Sequence, residues 1–134
     1  MTKGAKRQHG IVHQYAYARS RDQDVKIPAE HPVIVVGAGP VGLAAAIDLS
    51  LRGVPTVVLD DSDRIGGGSR GICYAKRTLE IFDRLGIGEA LVERGVTWKL
   101  GKVFLGEDIA YAFDLQPEPG DKMPAFINLQ QFQL

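Results

Sequence analysis

The feature that most constrains this chain is a short β-branched run, Val33–Val36, that leads directly into the pattern Gly-x-Gly-x-x-Gly. The run predicts a buried strand, and the alanine-rich segment 43–47 predicts a helix immediately after the glycines. Gly37 lets the chain turn off the strand, Gly39 leaves room for a diphosphate beside the backbone, and Gly42 lets the helix pack close to the strand. The free amides at the start of the helix, together with the positive end of its dipole, then face the anion.

A second strand and an acidic residue complete the motif. The segment Thr56–Leu59 predicts a strand, and Asp60 follows at its end. Asp60 lies 23 residues after Gly37. This is close to the roughly 20 residues expected for a carboxylate that accepts hydrogen bonds from the hydroxyls of an adenosine ribose. The sequence therefore predicts the start of a dinucleotide-binding βαβ unit. The alternative is a tight turn in another kind of α/β domain, which leaves three spaced glycines and the acid to coincidence.

Composition narrows the class of protein. A chain of 134 residues forms one domain at most, and its 16 basic and 16 acidic side chains give a net charge of zero. That balance argues against nucleic acid or an acidic membrane as a partner, and no apolar run reaches the roughly 18 residues of a membrane span. The single cysteine, Cys73, excludes an intramolecular disulfide and a multi-cysteine metal site, so we expect no metal. We interpret Cys73 as a small, buried apolar residue.

Residues 1–30 form a polar, basic leader that we expect to be flexible, and residues 31–134 form the domain. No apolar segment follows the basic start of the leader, so it does not match a secretory signal, and we expect a cytoplasmic protein. Tyr15 and Tyr17 alternate with small residues and are candidates for holding the leader onto the domain.

The second informative stretch is a glycine-rich loop, 66–71, that contains Arg70. Three successive glycines are costly in a helix or a strand, so we expect a flexible loop. One interpretation brings Arg70 over the dinucleotide, where its guanidinium contacts phosphate oxygens; the other is a plain surface loop. Beyond this loop the periodicity predicts a helix at 73–85, a short helix at 89–94, strands joined by a turn at 106–108, and a short strand at 125–127.

Four segments, taken together, carry a resemblance to a known family. They are 31–43 with the glycines, 57–60 with the acid, 69–82 with Ser-Arg-Gly-Ile and Lys-Arg-Thr-Leu-Glu-Ile-Phe, and 127–131 with Ile-Asn-Leu-Gln-Gln. The chain resembles the FAD-dependent aromatic hydroxylases, the single-component flavoprotein monooxygenases that include phenol, para-hydroxybenzoate and 3-(3-hydroxyphenyl)propionate hydroxylases. The Arg-Thr-Leu-Glu-Ile helix behind an arginine-bearing loop is more specific than the glycine pattern, which many flavin and nicotinamide enzymes share.

The resemblance implies an α/β fold with a Rossmann-like FAD-binding βαβ start and an additional β-hairpin region. The fold is expected to be incomplete relative to the family, because the family's later FAD motif and substrate-binding sheet would follow residue 134. We therefore expect residues 31–134 to be the N-terminal part of an FAD-binding domain. Unpaired strand edges and exposed apolar surface would make it weakly stable in isolation.

The resemblance also implies a set of cofactor-binding residues. The glycine motif holds the FAD diphosphate, the acid after the second strand binds the adenosine ribose, the loop arginine contacts the FAD phosphates, and a glutamine near the end of the chain contacts the ribityl group. The family usually has glutamate where this chain has Asp60, whose side chain is one methylene shorter. For the glutamine, Gln131 is the nearer match and Gln130 is the alternative. The predicted residues are Gly37, Ala38, Gly39, Pro40, Val41, Gly42, Asp60, Asp61, Arg70 and Gln131. No catalytic residue can be named.

The implied reaction is reduction of FAD by NADH or NADPH, followed by transfer of one oxygen atom of O₂ to a small aromatic substrate, commonly a phenol. Two alternatives stay open. An NAD-binding Rossmann domain of a dehydrogenase uses the same glycines, although it usually proceeds to a third strand soon after the acid. The third interpretation is a truncated, non-catalytic remnant. The aromatic substrate, the choice between NADH and NADPH, and the oligomeric state are left open by the sequence.

Overall fold

Two compact units, divided between residues 68 and 69, make up the computed structural model, which describes residues 11–66, 70–116 and 119–134. The first unit contains, in chain order, β1 (Ile11–Gln14), a 3-10 turn (Arg21–Gln23), β2 (Val33–Val36), α1 (Pro40–Leu51), β3 (Thr56–Leu59) and β4 (Arg64–Gly66). The second unit contains β5 (Cys73–Ala75), α2 (Lys76–Arg84), α3 (Gly88–Arg94), β6 (Val96–Trp98), β7 (Leu100–Leu105), β8 (Asp108–Asp114), β9 (Phe126–Asn128) and a 3-10 turn (Gln131–Gln133).

A parallel pair of strands joined by one helix forms the centre of the first unit. β2 and β3 pair in register, with Val33 opposite Thr56 and Val36 opposite Leu59. α1 connects them: Pro40 occupies its first turn, where the fixed φ of proline suits a helix start, and Gly53 follows its end with φ 74°. The predicted strand–helix–strand order is therefore confirmed.

A second, antiparallel pair of strands brings part of the leader onto this unit. β1 pairs with β4, with Gln14 opposite Arg64 and Ile11 opposite Gly66. The prediction of a flexible leader falls partly on residues 1–10, which lie outside the described residues. Residues 67–69 of the predicted glycine-rich loop lie outside them as well.

The second unit packs two helices and a three-stranded sheet around an apolar core. β9 lies between β5 and β6 and is antiparallel to both, while β7 and β8 form a hairpin that turns at Gly106, φ 65°. Leu79 of α2 and Ile127 of β9 are fully buried. The other buried apolar residues of this unit are Phe82, Leu91, Met123, Ala125 and Leu129. The predicted α/β class, with a hairpin region after the βαβ start, is confirmed.

Two predictions for Cys73 are wrong. Residues 73–75 form a strand rather than the first turn of a helix, and the Cys73 side chain is exposed rather than buried. The reason is pairing with β9, in which Cys73 lies opposite Asn128, 55 residues away, and its thiol donates to the Asn128 Oδ1 at 3.3 Å. Helical periodicity carries no information about such a distant strand.

Apolar side chains are exposed in both units. Val36 at the end of β2 is 83% exposed and Leu105 at the end of β7 is 80% exposed. The expected exposure of apolar strand residues is therefore confirmed for the described residues. Among these residues, no helix is both long enough and apolar enough to cross a bilayer.

Candidate functional site

The turn between β2 and α1 has the backbone geometry that the glycine pattern predicts. Gly37 has φ 101°, a left-handed conformation that glycine adopts without steric cost, and its N–H donates to the carbonyl oxygen of Leu59 at 2.7 Å. Gly42 packs directly on this turn, because a Cβ at this position would lie 1.9 Å from the Gly37 carbonyl oxygen and 3.2 Å from Val35 Cγ1. The chain thus turns at the first glycine, and α1 closes onto the turn at the third.

Gly39 leaves the amino-terminal end of α1 open. It precedes the helix with extended backbone, φ −77° and ψ 178°, and its carbonyl oxygen accepts the Leu43 N–H at 2.9 Å. A Cβ built at Gly39 would have no heavy atom within 4 Å among the described residues. No side chain caps the helix, and its first residue, Pro40, has no N–H, so the uncapped amides of its first turn are those of Val41 and Gly42. Amides at a helix start, with the positive end of the dipole, form a site suited to phosphate.

The Asp60 carboxylate is turned back onto the glycine turn. Its Oδ2 accepts the backbone N–H of Ala38 at 2.5 Å, and its Oδ1 accepts the N–H of Ser62 at 2.8 Å. The Ala38 hydrogen bond, and then the Ser62 hydrogen bond, hold the pKa of Asp60 below the ordinary value for an aspartate. The carboxylate is therefore charged at neutral pH, and its remaining lone pairs can accept hydroxyl groups.

An open cleft of about 440 Å³ lies at this point, lined by Val36, Gly37, Leu59, Asp60 and Asp61. It lies at the carboxyl ends of the parallel strands β2 and β3, where open α/β sheets bind their ligands. Six of the predicted residues are consecutive, from Gly37 to Gly42, and the structure brings them together with Asp60 and Asp61 in the first unit. An open backbone at Gly39, free helix amides and a charged acid suit a dinucleotide diphosphate and its ribose.

The two other predicted residues belong to the second unit. Arg70 is exposed, shortly before β5, and Gln131 is half-buried at the start of the 3-10 turn Gln131–Gln133. Gln130, the alternative to Gln131, precedes this turn, and its backbone carbonyl oxygen accepts the Gln133 N–H at 2.9 Å. Contacts of Arg70 and Gln131 with a cofactor remain predictions.

Sequence reasoning missed the two backbone groups that fix Asp60. The Ser62 contact is an Asx turn, in which an aspartate side chain accepts the N–H two residues later, and the Asp-Asp-Ser sequence at 60–62 is a recognisable signal for it. The Ala38 contact joins the two ends of the βαβ unit, 22 residues apart, and no local pattern predicts it.

A strand, a glycine turn, a helix and a second strand that ends in an oriented carboxylate define the class of dinucleotide-binding βαβ proteins. The family model described as "FAD binding domain" matches residues 30–131, and the chain belongs to this family. The family resemblance inferred from the motifs is therefore confirmed.

Individual relatives agree with this assignment and vary in activity. A flavin-dependent monooxygenase of Mycobacteroides abscessus is 32% identical over 109 aligned positions; the match covers 75% of this chain and 23% of that protein. A dialkyldecalin synthase of Streptomyces rugosporus is 41% identical over 68 residues, which cover 51% of this chain and 15% of the synthase. The crystal structure of p-nitrophenol 4-monooxygenase from Pseudomonas putida is similar with a TM-score of 0.66 at 28% identity, over 77% of this chain and 27% of the other. The chain thus spans about a quarter or less of the length of these proteins.

Proposed function

We propose that this chain binds FAD, with the glycine turn and Asp60 of its first unit holding the diphosphate and the ribose. We further propose that it serves as the FAD-binding part of an NAD(P)H-dependent monooxygenase that hydroxylates a phenol-like substrate. The observation that carries the proposal is the position of the Asp60 carboxylate, which accepts the Ala38 N–H within the glycine turn. This contact holds the ribose-binding acid next to the place where a diphosphate would lie. Membership of the FAD binding domain family supports FAD over other dinucleotides.

Each residue of the site has a separate part in this proposal. The amides at the start of α1 bind the diphosphate, and Gly39 lets it approach the backbone. Asp60 accepts the ribose hydroxyls, and Asp61 also lines the cleft. Arg70 contacts the phosphates and Gln131 the ribityl chain, as the family resemblance implies. We also propose that residues 31–134 are the N-terminal part of an FAD-binding domain. We propose that the protein acts in the cytoplasm.

The proposed overall reaction is balanced in atoms and electrons. One NAD(P)H and one proton supply two electrons, one oxygen atom of O₂ is inserted into a ring C–H bond to give the phenolic hydroxyl, and the other leaves as water. FAD supplies the redox chemistry when bound, and this chain's residues bind and orient it. The p-nitrophenol 4-monooxygenase among the structural relatives supports a phenol-like substrate.

A different activity in a flavoprotein of the same family is the second candidate. It is supported by the dialkyldecalin synthase, whose name is that of a synthase and not of an oxygenase. Both candidates require FAD binding and differ in whether NAD(P)H and O₂ are consumed.

Titration of the purified chain with FAD, followed by quenching of flavin fluorescence, tests the proposal. We expect a dissociation constant of about micromolar or lower, with NAD⁺ at least about tenfold weaker. Binding of NAD⁺ without FAD would favour a dehydrogenase. The non-catalytic remnant could bind a nucleotide or none, and hydroxylation or NAD(P)H oxidation above background by the 134-residue chain would rule it out. Oxygen uptake with NADH or NADPH and a phenol separates the monooxygenase from the other flavoprotein activity: uptake that depends on the phenol and yields hydroxylated product supports the monooxygenase.

A further inference from the structure

The strand β4 has its partner in the leader. β4 begins four residues after Asp60, and β1 pairs with it to form a two-stranded sheet. In the part of the chain that the structure describes, this sheet contains no third strand. The match to the family model begins at residue 30, so the leader strand lies outside the matched residues. The pairing is thus a feature of this chain that family membership does not predict.

Asp63 attaches the leader to the turn after β3, next to the pairing of β1 with β4. Its carbonyl oxygen accepts the Tyr15 N–H at 2.7 Å, and its Oδ2 accepts the side-chain amide of Gln14 at 2.8 Å. Its Oδ1 accepts the Arg64 Nε–H at 2.7 Å. The Arg64 hydrogen bond, and then the Gln14 hydrogen bond, keep the pKa of Asp63 below the ordinary aspartate value. The carboxylate is thus charged at neutral pH and bonded on both oxygens.

Ser62 connects this attachment to the ribose-binding acid. The Ser62 N–H donates to Asp60 Oδ1, its hydroxyl donates to the Arg64 carbonyl oxygen at 3.1 Å, and the Arg64 N–H donates back to the hydroxyl oxygen at 3.3 Å. A continuous set of hydrogen bonds therefore runs from Ala38 to the leader. It passes through Asp60, Ser62, Arg64 and Asp63 in that order, and ends at Gln14.

We propose that β1 is a positioning element of the dinucleotide site, which holds β4 and the turn 60–63 so that Asp60 stays directed at the glycine turn. The proposal rests on the FAD-binding function proposed above. Without β1, β4 is a three-residue strand with no ladder partner among the described residues, and the turn loses the attachment at Asp63. FAD would then have to order the turn on binding, and that cost lowers its affinity.

Two substitutions at one residue isolate the backbone contact. Tyr15→Pro removes the N–H that donates to Asp63, whereas Tyr15→Ala keeps that N–H and removes only the ring. We expect Tyr15→Pro to weaken FAD binding by about three- to tenfold and Tyr15→Ala by less than about twofold. Gln14→Leu, which removes only the side-chain bond to Asp63, should weaken FAD binding by about two- to threefold and serves if Tyr15→Pro does not fold.

Amide hydrogen exchange provides a readout that needs no FAD. In Tyr15→Pro the amides of Ala38 and Ser62 should exchange faster, while the amide of Ile127 should not change and shows that the second unit is folded. Unchanged exchange and unchanged affinity in Tyr15→Pro would overturn the positioning role while leaving FAD binding by the parent chain intact. If the parent chain does not bind FAD at all, the proposed function fails first and the positioning role fails with it.

Discussion

The close contact between α1 and the glycine turn makes a strong prediction about Gly42→Ala. A Cβ at this position would lie 1.9 Å from the Gly37 carbonyl oxygen, whereas ordinary van der Waals contact begins at 3.4 Å. The first turn of α1 must therefore move by about 1.5 Å, or the turn at Gly37 must open by that amount. The obstacle is a backbone atom, so no side-chain rotation relieves it.

The net cost follows from two opposing effects. Forcing extra volume into a packed contact costs typically about 1–3 kcal/mol, and the backbone clash places Gly42→Ala at the upper end. Alanine is favoured over glycine within a helix by up to about 1 kcal/mol, which offsets part of this cost. We expect a loss of about 2 kcal/mol in the free energy of unfolding, or a fall of about 6–10 °C in Tm for a chain of this size.

Gly39→Ala is the matched control. The same methyl group added at Gly39 meets no heavy atom within 4 Å among the described residues, and the backbone φ of −77° suits alanine. Its Tm should be unchanged or slightly higher, because alanine lowers the conformational entropy of the unfolded chain. This effect can raise the free energy of unfolding by up to about 1 kcal/mol. Its affinity for FAD should nevertheless fall by tenfold or more, about 1.4 kcal/mol, since the methyl group occupies the space proposed for the diphosphate.

Thermal unfolding followed by circular dichroism, with and without FAD, separates the two effects. The Gly42→Ala chain should have a lower Tm than the parent chain even without FAD. The Gly39→Ala chain should match the parent chain without FAD and lose only the rise in Tm that FAD causes. A Gly42→Ala chain with the parent Tm would refute the packing argument. A Gly39→Ala chain with the parent FAD affinity would refute the proposed place of the diphosphate.

Three further predictions follow from the same structure. Asp60→Ala removes the acceptor for Ala38 and Ser62, and should weaken FAD binding by about ten- to a hundredfold in a fluorescence titration, because hydrogen bonds to a charged group are among the stronger ones. Because those donors lower the pKa of Asp60, the carboxylate is fully charged, and contributes fully to FAD binding, at every pH above the ordinary aspartate pKa. FAD affinity should therefore be constant from about pH 8 to pH 5 and fall only below about pH 4, as the carboxylate takes up a proton. Ile127→Ala should cost about 2–5 kcal/mol in urea unfolding because Ile127 is fully buried, whereas Leu105→Ala, at an 80% exposed position, should cost less than about 0.5 kcal/mol.

The βαβ unit could be predicted from the sequence because its signals are local. The β-branched run at Val33–Val36, the glycine turn and Pro40 lie next to the elements that they specify, and Gly53 ends α1. The same holds for the hairpin turn at Gly106. In each case the residue that determines the structure lies within a few positions of its effect.

Pairings between distant segments could not be predicted in this way. The periodicity predicts the start of a helix at β5, but this segment is a strand because Cys73 pairs with a residue 55 positions later. β1 lies in a leader whose polar composition predicts no strand, yet it pairs with β4. At the site, the glycines and Asp60 were found from their spacing, but the Ala38 N–H that orients Asp60 was not. Backbone donors are the same for every residue type, so a sequence pattern does not single out which one a carboxylate meets.

The exposed apolar strand ends also affect the self-association of this chain in solution. Val36 and Leu105 are more than three-quarters exposed, and Val36 borders the cleft that contains Asp60. Such surfaces attract one another, so the chains should self-associate as the protein concentration rises. Association through Val36 would cover the cleft, and the number of FAD molecules bound per chain should therefore decrease at high protein concentration and recover on dilution.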